Sequence, residues 1–242
     1  MRKQPKYKHP YGRSGYCAGF RGCGAKRSGM DQLTSIEEVM RLPSPAPAPQ
    51  ALACDGEHLW LGSWETQRIY GIDRTHFTVF EEMNAPGRPV GMVSTGDELR
   101  AVISEGDDSR FIRRYIEGHG FKDHDKLPCP DDTGSFLAYD GACLWLSQRY
   151  NHRVLELDAH GAVRSSIQAD TQILGIAWVN ERLYLSLWYG KDGGCKIGLA
   201  SEDRSRIDIV GSLPFAAVSL THDGTHFWCN DTKATSIVAF ML

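Results

Sequence analysis

The sequence predicts an all-β fold, a five-bladed β-propeller of four-stranded blades, and three observations carry that reading. A hairpin-like segment recurs five times, its copies stand about 40 residues apart, and the last copy ends one strand short of a full blade.

The recurring segment runs from Ala51 to Leu61, Gly91 to Ala101, Phe136 to Leu146, Gly175 to Leu185 and Val218 to Cys229. Each copy opens with a short apolar stretch and turns at Asp55-Gly56, Gly96-Asp97, Asp140-Gly141, Asn180-Glu181 or Asp223-Gly224. Such pairs supply the positive φ that a tight hairpin needs. The second stretch carries a bulky anchor, Trp60, Arg100, Trp145, Tyr184 or Trp228, at steps of 40, 45, 39 and 44 residues. Third strands follow at Arg68 to Asp73, Phe111 to Ile116, Arg153 to Asp158, Cys195 to Leu199 and Ser236 to Phe240. Fourth strands are expected at Phe77 to Met83, Phe121 to Leu127, Val163 to Gln168 and Arg206 to Leu213.

The fifth blade stops at Leu242 after its third strand. Residues 33–42 hold the place before a Pro-rich turn that every other fourth strand holds before the next blade, so they are expected to complete the C-terminal blade and cover its open edge. The competing reading, a helix over 31–41, has a suitable length but leaves blade five short.

Composition fits one propeller domain over 31–242: the 242 residues are 41% hydrophobic and 24% charged. No apolar run reaches membrane-spanning length, and the first 30 residues lack the apolar stretch of a signal peptide, so a soluble, cytoplasmic protein without a membrane partner is expected. Seven cysteines without a repeated CxxC point to reduced thiols. Residues 1–30 hold eight Lys and Arg, six Gly, Tyr7, Tyr11, Tyr16 and Phe20, and no acid, which leaves 31–242 with a balance of −11. That composition reads as a disordered basic tail. Its Lys, Arg and Tyr would suit a nucleic-acid or acidic-surface contact, and a plain linker or a start assigned too early is the other reading. Nothing else suggests a nucleic-acid partner.

In a propeller the connections from second to third strand and from blade to blade share one rim, where ligands usually bind; that is an analogy of fold. Here the second-to-third connections are 64–67, 105–108, 148–152, 188–192 and 230–233. They carry Trp64, Tyr150, Trp188 and Tyr189, whose flat faces would suit a small molecule, glycan or peptide, with Glu65, Arg149 and His152 beside them. The alternative is that Trp64 and Trp188 wedge between blades. Nine rim carboxylates (Glu65, Glu105, Asp107, Asp108, Asp131, Asp132, Asp170, Asp192 and Asp231) face four rim cations (Arg88, Arg149, Lys191 and Lys233). A hard divalent cation, calcium or magnesium, is conceivable on Glu105, Asp107, Asn151 and Asn230, and a solvated acidic rim is the plainer reading. His152 is the candidate general base. No Ser-His-Asp order, GxSxG, HExxH or phosphate loop is present.

Two stretches resemble known families. Asn151-His152-Arg153-Val154-Leu155-Glu156-Leu157-Asp158 with Gly161 resembles propellers with NHL repeats and the streptogramin lyases, over one or two blades. The resemblance implies a propeller and, in the lyases, elimination by a His with metal-bound carboxylates. Trp178-Val179-Asn180-Glu181-Arg182-Leu183-Tyr184-Leu185-Ser186-Leu187-Trp188 resembles a segment of the five-bladed plant-type glutaminyl cyclases, over about one blade, and implies a pocket-lining Trp188. The two carboxylates of the cyclase pattern just upstream are replaced by Leu174-Gly175-Ile176-Ala177. Three functions therefore stand: a binding module at the loop rim, a metal-dependent lyase or lactonase using His152, and a protein-interaction scaffold.

Overall fold

The Asp-Gly turns set the local structure of three blades in the same way. In a computed structural model, which describes residues 35–242 and only the backbone of 123 and 124, Gly56, Gly141 and Gly224 take φ of 102°, 95° and 96°, a region open to glycine. The preceding aspartate closes the turn: Asp55 Oδ1 accepts the Glu57 and His58 N–H groups at 2.8 and 2.7 Å. Its Oδ2 accepts the indole N–H of Trp60 at 2.6 Å. Asp140 does the same for Ala142, Cys143 and Trp145, and Asp223 for Thr225, His226 and Trp228, with indole bonds of 2.8 Å in both. Each carboxylate thus satisfies a turn and the one polar atom of a large apolar side chain five residues on.

From these hairpins grow five four-stranded antiparallel sheets. Blade one is β2 (Pro49–Cys54), β3 (His58–Ser63), β4 (Arg68–Asp73) and β5 (Val79–Asn84). Blade two is β6 (Arg88–Ser94), β7 (Leu99–Glu105), β8 (Ser109–Ile116) and β9 (Gly120–Pro128). Blade three is β10 (Leu137–Tyr139), β11 (Leu144–Gln148), β12 (Arg153–Leu157) and β13 (Val163–Gln168). Blade four is β14 (Gln172–Val179), β15 (Arg182–Trp188), β16 (Cys195–Ala200) and β17 (Ile207–Leu213), with one helical turn, α1 (Gly190–Gly193), between β15 and β16. Blade five is β18 (Ala217–His222), β19 (Phe227–Asp231) and β20 (Ser236–Phe240), with β1 (Glu38–Pro43) at its outer edge. The protein is a five-bladed β-propeller.

The five sequence anchors occupy one rung of the repeat. Trp60 pairs with Ala53, Arg100 with Val93, Trp145 with Ala138, Tyr184 with Ala177 and Trp228 with Thr221. At the outer edge, Glu38 stands opposite Phe240 and Pro43 opposite Ser236, and Arg41 donates to Asp231 and Ser236, both at 2.9 Å. This strand starts later than the expected 33–42, and its described part is extended where the helix reading placed a helix over 31–41. Ser35 instead forms an isolated bridge with Ser212. Residues 33 and 34, like the basic segment 1–30, lie outside the described residues.

The innermost strands pack one against the next around the ring, β18 meeting β2. Gly91 and Gly175 mark close approaches between blades, where a Cβ would meet the backbone of Ser135–Phe136 and of Ser219–Leu220. At the seam between the last and first blades, side chains satisfy backbone groups that the inner edge of β2 leaves open. The Leu52 N–H donates to Ser219 Oγ at 3.1 Å, Ser219 Oγ donates to Leu52 O at 3.2 Å, and the Cys54 N–H donates to Thr221 Oγ1 at 3.0 Å. Among the described residues no helix is long and apolar enough to cross a membrane.

Arg74, on the turn between β4 and β5, reaches across the same seam to Asp223 at 3.2 Å. Burial pushes the Asp223 carboxyl up, but the His226 N–H, the Trp228 indole, the Thr225 N–H and the Arg74 charge outweigh it and hold the group at about 2. A carboxylate depressed on folding stabilises the native state fully above its unfolded value near 4, and that contribution is lost as pH falls toward 2. Asp223→Asn is therefore expected to lower Tm at pH 7 and to flatten the Tm decline between pH 4 and 2. Parallel melting curves over that range check this, and equal declines in both proteins would count against it.

Candidate functional site

The rim formed by 64–67, 106–108, 149–152, 189–194 and 232–235 carries a cavity of about 340 Å³, lined among others by Trp64, Arg110, Ser135, Arg149, Tyr150 and Thr232. The lining spans blades five, one, two and three, so the site exists only once the ring is assembled. Its volume lies in the range of small-molecule sites. A cavity of equal volume on the opposite rim, between blades two and three, is lined by Arg100 and Arg114, which both pair with Glu98, and by the carboxylates of Asp97 and Asp158.

Trp64 is placed by the end of β3. Its N–H donates to Ala48 O at 3.0 Å, and Ser63 Oγ donates to Pro47 O at 2.6 Å. The indole rests on the core cluster containing Val90 and Leu146, while the guanidinium groups of Arg88 and Arg110 stand 5.2 and 5.8 Å from its ring centre. Arg110 is held by Asp108 at 3.0 Å and donates to Gly134 O at 3.1 Å. A hydrogen bond from Ser104, against burial and with help from Arg110 and Arg88, keeps Asp108 below the usual carboxylate range. The Arg149 N–H donates to Ser135 Oγ and its Nε to Gln172 Oε1, both at 3.3 Å, and its guanidinium lies 5.3 Å from the ring of Tyr150. Tyr150 is 72% exposed. The cavity therefore offers an open aromatic face, a half-buried indole and the N–H groups of arginine.

The other residues singled out from the sequence are distributed differently. Trp188 is the last residue of β15 and packs against both the core shared by blades three and four and the core shared by blades four and five, the wedge reading, with its carbonyl accepting the Thr171 hydroxyl. Tyr189 donates to Asp170 at 2.8 Å and lies under Lys196; burial, then that carboxylate, pushes its phenol up to about 12. Neither lines the cavity, so the expected common entrance of four aromatics reduces to Trp64 and Tyr150. Glu65 is exposed in the Trp64 loop. His152, half-buried with φ of 52°, is fixed by its carbonyl accepting the Ala169 N–H at 2.7 Å and is also outside the cavity lining.

Three of the four residues considered for a cation are engaged by partners of their own. Glu105 accepts from Arg113 at 2.6 Å and pairs with Lys126 at 3.6 Å. Asn151 donates to Gln148 at 3.1 Å, and Asp107 is exposed in its turn. Asn230 is fully buried on β19, donating to Ala51 O at 3.4 Å across the seam, its Oδ1 without a hydrogen-bond partner. Among the described residues no three His, Cys, Asp or Glu side chains converge as a metal site.

Four of the nine rim carboxylates are also paired with arginine. Asp231 pairs with Arg41, Asp108 with Arg110, Glu105 with Arg113 and Asp131 with Arg153. These arginines sit on strands, outside the loops over which charge was counted. Arg110 was missed for that reason, although its place as the second residue of β8, next to the 106–108 turn, is legible once strands are drawn. The five described cysteines are unpaired, and burial pushes Cys129 and Cys195 up to about 12 and about 11, away from nucleophilic use.

The sequence matches no protein-family model and no curated protein. Solved structures that share the fold include the glutaminyl cyclase of Myxococcus xanthus, at 12% identity and TM-score 0.64 over 86% of this chain and 96% of that one. The PQQ-bound aldose sugar dehydrogenase of Streptomyces coelicolor matches at 14% and 0.57 over 86% and 81%, and a streptogramin B lyase at 16% and 0.51 over 83% and 67%. The two groups suggested by sequence motifs are thus both structural neighbours, and at these identities the likeness is one of fold. Where the cyclase pattern has its carboxylates, Leu174, Ile176 and Ala177 are buried core residues of β14.

Proposed function

We propose that the chain is a ligand-binding propeller that takes a small molecule in the rim cavity. The observation that carries this is the gathering of Trp64, Tyr150, Arg110 and Arg149 around one space of about 340 Å³. A ring this rigid brings side chains from several blades to a fixed geometry, which is how a concave site gains affinity without ordering loops. A glycan or peptide would occupy the same faces with part of its length. The metal-dependent lyase or lactonase reading would need donors other than Glu105, Asp107, Asn151 and Asn230, three of which are engaged elsewhere.

A thermal-shift screen of metabolites, glycans and short peptides tests the proposal, because a ligand that binds only the folded state raises Tm. The expected result is at least one compound whose shift is lost in Trp64→Ala and in Tyr150→Ala, with unliganded Tm changed little in the latter. Compounds that stabilise the protein equally in both variants would place binding elsewhere.

A further inference from the structure

We infer that the ligand of the rim cavity is an anion: a planar, carboxylate-bearing small molecule held by Arg149 and stacked on Tyr150, with Arg88, which lies against Trp64 outside the cavity lining, adding positive charge. This rests on the reading of the cavity as a binding site and names the chemistry it selects. Three guanidinium groups, Arg88, Arg110 and Arg149, stand around the aromatic pair. Among the described residues only one carboxylate, Asp108, lies within ion-pair distance of any of them, and it belongs to Arg110. Arg149 has a neutral partner, Gln172, and Arg88 has only the face of Trp64 and the more distant charge of Asp108. On the opposite rim Arg100 and Arg114 are both neutralised by Glu98 and Asp125, whereas Arg182 has, among the described residues, only the Ala200 carbonyl. Elsewhere this chain pairs its rim arginines, with Arg41 on Asp231, Arg113 on Glu105 and Arg153 on Asp131. Arg149 on the cavity lining and Arg88 behind Trp64 therefore give this part of the rim positive charge that no described carboxylate pairs with.

Guanidinium matches a carboxylate with two parallel N–H donors and stacks on aromatic rings, so the same pair of residues can hold both ends of such a molecule. Tyr150, 72% exposed and covered on one side by Arg149, supplies the platform. Neutral sugars would leave the Arg88 charge unanswered, and cations would be repelled.

The test compares 2-naphthoate with its neutral isostere 2-naphthamide by isothermal titration on the full chain. The expected result is naphthoate binding at least about tenfold more tightly than the amide, the loss typical of one hydrogen bond to a charged group. Arg149→Gln should weaken naphthoate by a similar factor, Arg88→Gln by less, and both should leave the amide unchanged, while raised salt should weaken only the acid. Equal affinities for acid and amide, or naphthoate binding unmoved by both Arg variants, would overturn the inference. So would no binding of either probe at millimolar concentration. In those cases a screening hit that still depends on Trp64 and Tyr150 would leave the cavity proposal standing, whereas loss of that dependence would remove both.

Discussion

Trp145→Ala is expected to destabilise the propeller by about 3–5 kcal/mol, the cost of emptying a fully enclosed aromatic site. Trp145 is 0% exposed, stacks on Trp178 with ring centres 5.4 Å apart, and carries the Arg204 guanidinium 4.5 Å from its ring centre. Its indole N–H answers Asp140 Oδ2 at 2.8 Å. Alanine therefore opens a void in the shared core of blades three and four and leaves a carboxylate oxygen without its donor, and the two costs act together. Urea unfolding measures this directly, with Tyr150→Ala as the surface control, expected within about 0.5 kcal/mol of the parent. A Trp145→Ala loss as small as that control would mean that the indole is not structural.

Deleting residues 31–42 is expected to lower Tm by on the order of 10 °C or more, the equivalent of several kcal/mol in a domain of this size. Almost all of β1 goes with the segment, so the outer edge of β20 loses its partner from Glu38 to Leu42, and Arg41 no longer reaches Asp231 and Ser236. Ile36 leaves the cluster that holds Val238 and Phe240, and Leu42 leaves the one that holds Trp228 and Ala239. An unpaired β20 is also a template for a second chain, so light scattering should rise along with the loss of stability. A truncated chain that melts within about 2 °C of the parent would show that the ring does not depend on this segment.

The fold was largely legible because its repeat unit is written in local chemistry. Asp-Gly before an apolar run needs no tertiary knowledge to mark a hairpin, and five anchors at one spacing admit few architectures. The purpose of the aspartates was hidden, since nothing in the spelling Asp55-Gly56-Glu57-His58-Leu59-Trp60 says that the first side chain caps the last. The candidate site was legible in part. Trp64, Arg149 and Tyr150 fall where the loops were drawn and line one cavity. Trp188 stands four residues after its anchor Tyr184, as Trp64 does after Trp60, yet its ring packs against the core clusters on both sides of blade four, which the spacing alone does not reveal. Charge was misjudged for a related reason: a rim's potential includes arginines projected from strand ends, and counting loops alone leaves Arg41, Arg110, Arg113 and Arg153 out.

The seam between the first and last blades also bears on how the chain is made. Leu52 waits for Ser219, 167 residues later, and until Ser219 leaves the ribosome the inner edge of β2 has unpaired N–H and C=O groups. Blade one meets its second neighbour only once blades two to four and β18 have emerged. The propeller is therefore an open arc until that point. Its most vulnerable surface in that interval is β2 with the apolar Ala51, Leu52 and Ala53, all fully buried in the finished ring.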